Sequence, residues 1–436
     1  MSPRSGNSNP PQSVLGADHL ARLDAALADT DRLLAAAYPG DDGSRQPVST
    51  VYIPADRCVP ALPGTWGEDA LAALAAYGSL AELADRLGLD PDVAGAVVPL
   101  VEAKLRTEPI EDLRLDFEDG YGSRPDDEED GHARQAAAAV AGAVAAGTAP
   151  PFVGIRFKSF EAGTRARGVR TLDLFLAGLL AAGPLPDGLV LTLPKVSTVD
   201  QVEAMVYVCE LLEDAHGLPE GRLRFEVQVE TPQLILAANG TVPAAQLIHR
   251  GRGRVSALHY GTYDYSDAVQ IAAPYQSMEH PAADYAKAVM QVAAAGTGVR
   301  LSDGSTNILP LGTPDEIRSA WQLHARLVRR SLERGFYQGW DLHPAQLPTR
   351  FLATYAFYRE GFDVAAARLR NYVQKRGGSV LDEPATARAL ARFVRRGLLC
   401  GALTETEITQ ETGLTGVELT ALAAARPTAA DEKVQK

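Results

Sequence analysis

Apolar positions in this chain change their spacing in a regular way. Over 17–38, Leu20, Leu23, Leu27, Leu33 and Leu34 recur at helical intervals and predict an amphipathic helix. From residue 51, short β-prone runs alternate with longer helical segments rich in Ala, Leu and Arg. The runs are VYIPA (51–55), LRLDF (113–117), FVGIRF (152–157), LVLTLP (189–194), RFEVQV (224–229), VSALHY (255–260) and WDLH (340–343). NILPL (307–311) is a weaker eighth candidate. Helical spacing covers 68–86, 91–106, 131–147, 168–182, 198–216, 281–296 and 313–334. Eight strand candidates interleaved with helices imply a parallel sheet with helical crossovers. Eight such units predict an α/β fold closed into a (βα)8 TIM barrel. An open doubly wound sheet is the rival, but no G-x-G-x-x-G follows the first strand.

The flanks carry no strand pattern. Residues 1–15 are polar and rich in Pro and Ser, and read as disordered; 39–48 read as a linker. Residues 351–430 read as a helical appendage, a lid or subunit contact. There Gly377-Gly378 is a break, Gly397 a stop and Thr404 a cap. The expected organisation is therefore a tail, helix and linker over 1–48, a catalytic barrel over 49–350, and a C-terminal helical region over 351–436.

Composition removes several function classes. The 436 residues are 46% hydrophobic and 22% charged, enough for a large core. The formal charge of −13 and the lack of a basic face argue against a nucleic-acid partner. No apolar run approaches the ~18 residues of a membrane span, and the N-terminus has no apolar stretch of a secretory signal. Cys58, Cys209 and Cys400 are too scattered for a metal site or a disulfide framework, so a reducing, cytoplasmic setting is expected.

In a parallel barrel, chemistry sits at the strand ends and the loops after them. Charge or imidazole stands at seven of these: Asp56-Arg57; Asp116, Glu118 and Asp119; Arg156 and Lys158; Lys195; Glu230; Asp264; and Asp341 with His343. Taken singly, each is more simply a solvated loop or a helix N-cap; it is the set that points to a site. Glu230 and Asp264 end successive strands, where two buried carboxylates need a cation. Oxygen ligands and the lack of a Cys/His cluster suit Mg²⁺ or Mn²⁺. Glu118 and Asp119 could hold metal-bound waters, or could cap the next helix. Arg156, inside an apolar strand, reads as a clamp on a substrate carboxylate or as half of an ion pair with Glu118 or Asp119. Arg165, Arg167 and Arg170 could attract an anionic tail or begin a solvated helix, and the DDEED run (126–130) reads as a solvated loop and helix start. Metal plus arginine points to a 2-oxo acid and to making or breaking a C–C bond.

Eight motifs in order, over about 51–396, resemble the citrate lyase β-subunit/HpcH–HpaI aldolase family of the phosphoenolpyruvate/pyruvate-binding barrel superfamily. They are YIPADR (52–57), LDFEDGY (115–121), GIRF (154–157), LPKV (193–196), VETPQ (229–233), GTYD (261–264), GFYQGWDLHPAQ (335–346) and GGSVLDEPATARA (377–389). The resemblance implies an Mg²⁺-dependent carbon–carbon lyase with Glu230 and Asp264 as metal ligands and Arg156 as the carboxylate clamp. It implies Arg57 near the substrate or CoA phosphates; Lys195 and His343, from their places at strand ends, are further substrate-binding candidates. It also implies Asp382 as an acid/base delivered by a neighbouring subunit, hence a homo-oligomer, trimer or hexamer. Lys158, Gln338-Gly339, Asp341 and Tyr265 depart from the family pattern. An acyl-CoA thioester is the preferred co-substrate. The alternatives are a CoA-independent 2-oxo acid aldolase and a non-catalytic anion-binding or regulatory barrel.

Overall fold

The computed structural model describes residues 14–374 and 383–424. Among them, eight strands form one sheet: β1 (Ser49–Pro54), β2 (Asp112–Asp116), β3 (Phe152–Arg156), β4 (Leu191–Leu193), β5 (Phe225–Val229), β6 (Val255–Tyr260), β7 (Arg300–Ser302) and β8 (Gly339–Asp341). Each strand pairs in parallel with its successor up to β7, and β8 pairs in parallel with β1. A bridge between Ser302 and Gln338 joins β7 to the approach of β8, so the sheet closes into the expected (βα)8 barrel.

The strands are apolar on the outside and polar on the inside. In β2, Leu113 and Leu115 belong to the hydrophobic core under the helices, whereas the alternate residues Asp112, Arg114 and Asp116 bond across the lumen. In β5, Phe225, Val227 and Val229 join the core while Glu226 and Gln228 face inward partners. A period of two thus separates the two sides of one strand. Deep in the lumen, the fully buried Arg114 donates to Asp112 (2.9 Å), to Glu226 (3.2 Å) and to the Val190 carbonyl (2.8 Å). Trp340 Nε1 donates to His259 Nδ1 (3.1 Å), which leaves the ring proton on Nε2, 3.1 Å from Glu226. Burial, with Arg114 nearby, pushes His259 down to about 3, so the ring is neutral. Gly154 makes this possible. A Cβ there would lie 1.7 Å from the Val190 carbonyl oxygen and 2.8 Å from Arg114 Nη1.

Four local expectations change. β7 is Arg300–Ser302, not NILPL: Ile308 and Leu311 are exposed, and this strand is too short and too polar to show alternation. The segment 68–86 is two helices, Leu62–Ala75 and Leu80–Arg86. They are broken at Gly78, whose φ of 142° no L residue favours, and Ser79 caps the second. Gly397 does not stop its helix, Pro384–Leu399; it lies inside, where a Cβ would meet Leu403 at 2.6 Å. The acidic run 126–130 is already helical, in Asp126–Ala145, and its Glu129 is fully buried.

The amphipathic helix forms over Ala17–Ala37, but its leucines stay exposed. Beyond β8, Leu347–Val373 packs on the barrel, and Pro384–Leu399, Glu405–Thr412 and Gly416–Ala423 form a second small core with it. Thr404 caps Glu405–Thr412 as expected, with Glu407 completing the box. Gly377-Gly378 lies outside the described residues. No described helix is long and apolar enough to cross a membrane.

Arg114→Met is expected to lower the unfolding free energy by about 3–5 kcal/mol, because Asp112 and Glu226 remain buried without their cation. Gly154→Ala should also destabilise, through overpacking. Urea titrations check both, and unchanged midpoints would remove this network from the account of the barrel's stability.

Candidate active site

The carboxyl ends of β2, β4, β5 and β6 converge on one ammonium group. Lys195 Nζ lies 3.0 Å from Glu118 Oε1, 3.0 Å from Asp119 Oδ2 and 3.0 Å from Asp264 Oδ1. Lys195 stands two residues after β4 with φ of +48°, a left-handed conformation that costs a non-glycine residue of order 1–3 kcal/mol. In that conformation its backbone N–H donates to Glu230 Oε1 at 2.7 Å. Glu230 directly follows β5 and is 2% exposed. Its carboxyl packs on Gly261, where a Cβ would come within 2.6 Å of Oε2. Gly261 leads into the helix Thr262–Ala268, whose first turn carries Asp264, with 44% of that side chain open to solvent.

Below this group, Arg156 forms a two-point pair with Asp116, Nε to Oδ1 and Nη2 to Oδ2, each 2.7 Å. Asp116 also accepts the backbone N–H groups of Glu118 and Gly120, so one carboxylate fixes both the arginine and the loop that presents Glu118 and Asp119. The free edge, Nη1, faces Glu118 Oε2 (3.4 Å) and Gln228 Oε1 (3.5 Å). The guanidinium lies over Tyr52, whose hydroxyl accepts from Gln228 (3.2 Å).

Burial pushes Glu230 up to about 8; Lys195 opposes this, and Asp264 and Glu118 add to it. Burial likewise pushes Glu118 up to about 7, against Arg156 and with Asp119. In Asp119 burial is outweighed by Arg156, Glu118 and Lys195, which hold it below the usual range. Lys195 is partly desolvated, yet Glu230, Glu118, Asp264 and Asp119 keep it well above an ordinary ammonium. The mouth of the barrel therefore holds more carboxylates than cations.

That surplus fits a hard divalent ion. The donors are all oxygen, and two protein carboxylates with water suffice for Mg²⁺. Glu230 and Asp264 are the pair that could hold it. No cluster of three or more acidic, His or Cys ligands is assembled among the described residues, and the Lys195 ammonium supplies the positive charge there.

The other candidates are dispersed. Arg57 is exposed on the rim after β1 and makes no ion pair among the described residues. His343 turns away to cap the turn Pro344–Gln346, accepting from the Ala345 N–H at 3.2 Å. Asp341 is structural: fully buried, it pairs with Arg350 (2.9 Å) and His324 (3.0 Å). Lys158 ties the Phe117 carbonyl to Glu129. Arg167 and Arg170 both bind Asp130, and Arg165 donates to the Phe160 carbonyl. This arginine cluster and the acidic run thus hold each other. The Arg156 ion pair is with Asp116, rather than chiefly with Glu118 or Asp119, because β2 and β3 pair in register at those two residues. Asp382 lies outside the described residues. Gln228 and Tyr52 escaped the sequence reading. The alternation Glu226, Gln228, Glu230 is the signal that places Gln228 on the inner face, and nothing comparable marks Tyr52.

Residues 27–427 match the family described as "Domain of unknown function (DUF6986)", and the chain belongs to it. Solved structures to which the chain is similar include CitE from Mycobacterium tuberculosis in complex with magnesium, acetoacetate and coenzyme A. It is 16% identical over 81% of this chain and 99% of that one, with a TM-score of 0.47. Another is the Haloferax volcanii malate synthase magnesium/glyoxylate complex, 16% identical over 87% of this chain and 98% of that one, with a TM-score of 0.46. A third is the M. tuberculosis citrate lyase β subunit with oxaloacetate and magnesium, 16% identical over 72% and 98%, with a TM-score of 0.42. No curated protein sequence matches.

Glu230 and Glu118 have folded-state values above their unfolded ones, so the native state holds extra protons between about pH 4.5 and 8. Their ionisation therefore removes stability as pH rises through that window. Lys195 stays charged throughout and does not alter the sign. Glu230→Gln, which keeps the acceptor for the Lys195 N–H, should melt above the native protein at pH 8, with the gap closing toward pH 5. Thermal unfolding across that range checks this; a constant gap would contradict it.

Proposed function

We propose that this chain is a divalent-metal-dependent carbon–carbon lyase or synthase acting on a 2-oxo acid or its hydroxy-acid adduct. The observation that carries the reading is the crowding of Glu230, Asp264, Glu118 and Asp119 around one lysine at the barrel mouth. Glu230 and Asp264 would hold Mg²⁺ or Mn²⁺, which when bound polarises a keto oxygen and favours negative charge at that carbon. Arg156, held by Asp116 beside Tyr52, would turn Nη1 from Glu118 and Gln228 to a substrate carboxylate. Glu118, near 7, can give or take a proton at neutral pH. Lys195, on a flexible stem, can leave the carboxylates to meet the substrate's anionic group. Asp382 is proposed as the acid/base contributed by a neighbouring subunit of a homo-oligomer, and Arg57, exposed on the same rim, as a partner for thioester phosphates.

A second reading, a CoA-independent aldolase, draws on the arginines at 165–170. Arg167 and Arg170 are engaged by Asp130, so this cluster is poorly placed to receive an anionic tail.

The test is a screen of pyruvate, glyoxylate and oxaloacetate with Mg²⁺, with and without acyl-CoA, following product mass. Turnover is expected, with a loss of at least about 100-fold in Glu230→Gln/Asp264→Asn. Equal activity in that variant removes the metal assignment. Turnover without acyl-CoA, and no shift in melting temperature by CoA, selects the second reading.

A further inference from the structure

The far end of the barrel carries a second concentration of charge, of opposite sign. Where the 39–48 linker enters β1 and β7 begins, a cleft of about 320 Å³ lies beside the helix Pro384–Leu399. Arg300, from the start of β7, and Arg392, Arg395 and Arg396, from that helix, all line it. Among the described lining residues Asp41 is the sole carboxylate, and its contact with Arg396 is a loose 3.5 Å. Asp42, near Arg300 at 3.8 Å, is largely exposed.

Arg395 marks this as more than a basic surface. It is 7% exposed, and its Nη2 has no hydrogen-bond partner. The linker covers it at Gly43, φ +82°, where a Cβ would come 2.5 Å from Nη2. A buried guanidinium with an unmet donor is costly unless an anion completes it. The neighbours add to that cost. Burial lowers Arg300 despite Asp42 and Asp41, and Arg224 and Arg395 lower it further. Burial and the adjacent Arg396 and Arg388 lower Arg392. The Arg396 guanidinium lies over Tyr337, 4.1 Å from the ring centre, and Tyr337 forms one wall.

We propose that this cleft is a binding site for a small molecule bearing an oligophosphate group. Several guanidinium forks around one cavity call for a ligand with several acceptor oxygens and more than one negative charge, which a single carboxylate does not provide. The volume lies at the small end of the range for ligand sites. The site is at the opposite end of the strands from Lys195 and Glu230, so it stands independently of the proposed reaction.

The test is thermal unfolding and calorimetry of the full chain with pyrophosphate and with ADP, using chloride at matched ionic strength as control. Both should raise the melting temperature saturably. Arg392→Gln/Arg396→Gln should weaken binding at least tenfold, while Lys195→Met leaves it unchanged. Tighter binding of ADP than pyrophosphate would assign a nucleotide; equal binding would assign the phosphate chain alone. Absence of a saturable shift at millimolar pyrophosphate, an equal shift in the arginine variant, or loss of the shift in Lys195→Met overturns the site. Should the double variant fail to fold, Arg300→Gln provides the same comparison.

Discussion

Charge balance inside a closed barrel is the constraint on which this structure depends. Three cations occupy successive levels of the lumen. Arg114 meets Asp112 and Glu226, Arg156 meets Asp116, and Lys195 meets Glu118, Asp119 and Asp264. Apart from Asp112, which shares β2 with Arg114, these carboxylates come from other strands or the loops after them, so the pairs fasten the barrel as well as offset its charge. Removing Arg114 or Arg156 would leave buried carboxylates uncompensated, which is far costlier than losing a surface pair.

The balance is uneven along the axis. The middle level is a single matched pair, whereas the mouth gathers four carboxylates around one ammonium. Because Glu230 is buried there, the imbalance appears as a carboxyl that resists ionisation. Asp116 links the levels: the carboxylate that holds Arg156 also accepts the backbone amides that aim Glu118 and Asp119. An ion-paired lower lumen thus supports an upper layer poised for a cation and an anionic substrate. At the other end of the strands the imbalance reverses, with arginines crowded around a cleft.

Much of this was legible in the strand runs. LRLD and FEVQVE alternate apolar and polar residues, which fixes one face against the helices and the other in the lumen, and a carboxylate ending each run marks the mouth. Where alternation fails, so does the reading. β7 has three residues and no apolar signature, whereas the exposed NILPL loop imitates one. Gly397 looked like a helix stop because glycine often ends helices, yet here it makes room for Leu403.

The sequence by itself determined the barrel class and the gathering of Glu230, Asp264, Glu118, Asp119, Lys195 and Arg156 at strand ends, because strand periodicity and chain order are local properties. Only the tertiary structure decided the partnerships. Register across β2 and β3 brings Asp116 to Arg156, Asp341 turns to Arg350 and His324 outside the lumen, and His343 becomes a cap. The arginines of Pro384–Leu399 meet Arg300 across roughly a hundred residues of chain. Such pairings depend on which side chains closure brings within a few ångströms, and no spacing along a single chain encodes that distance.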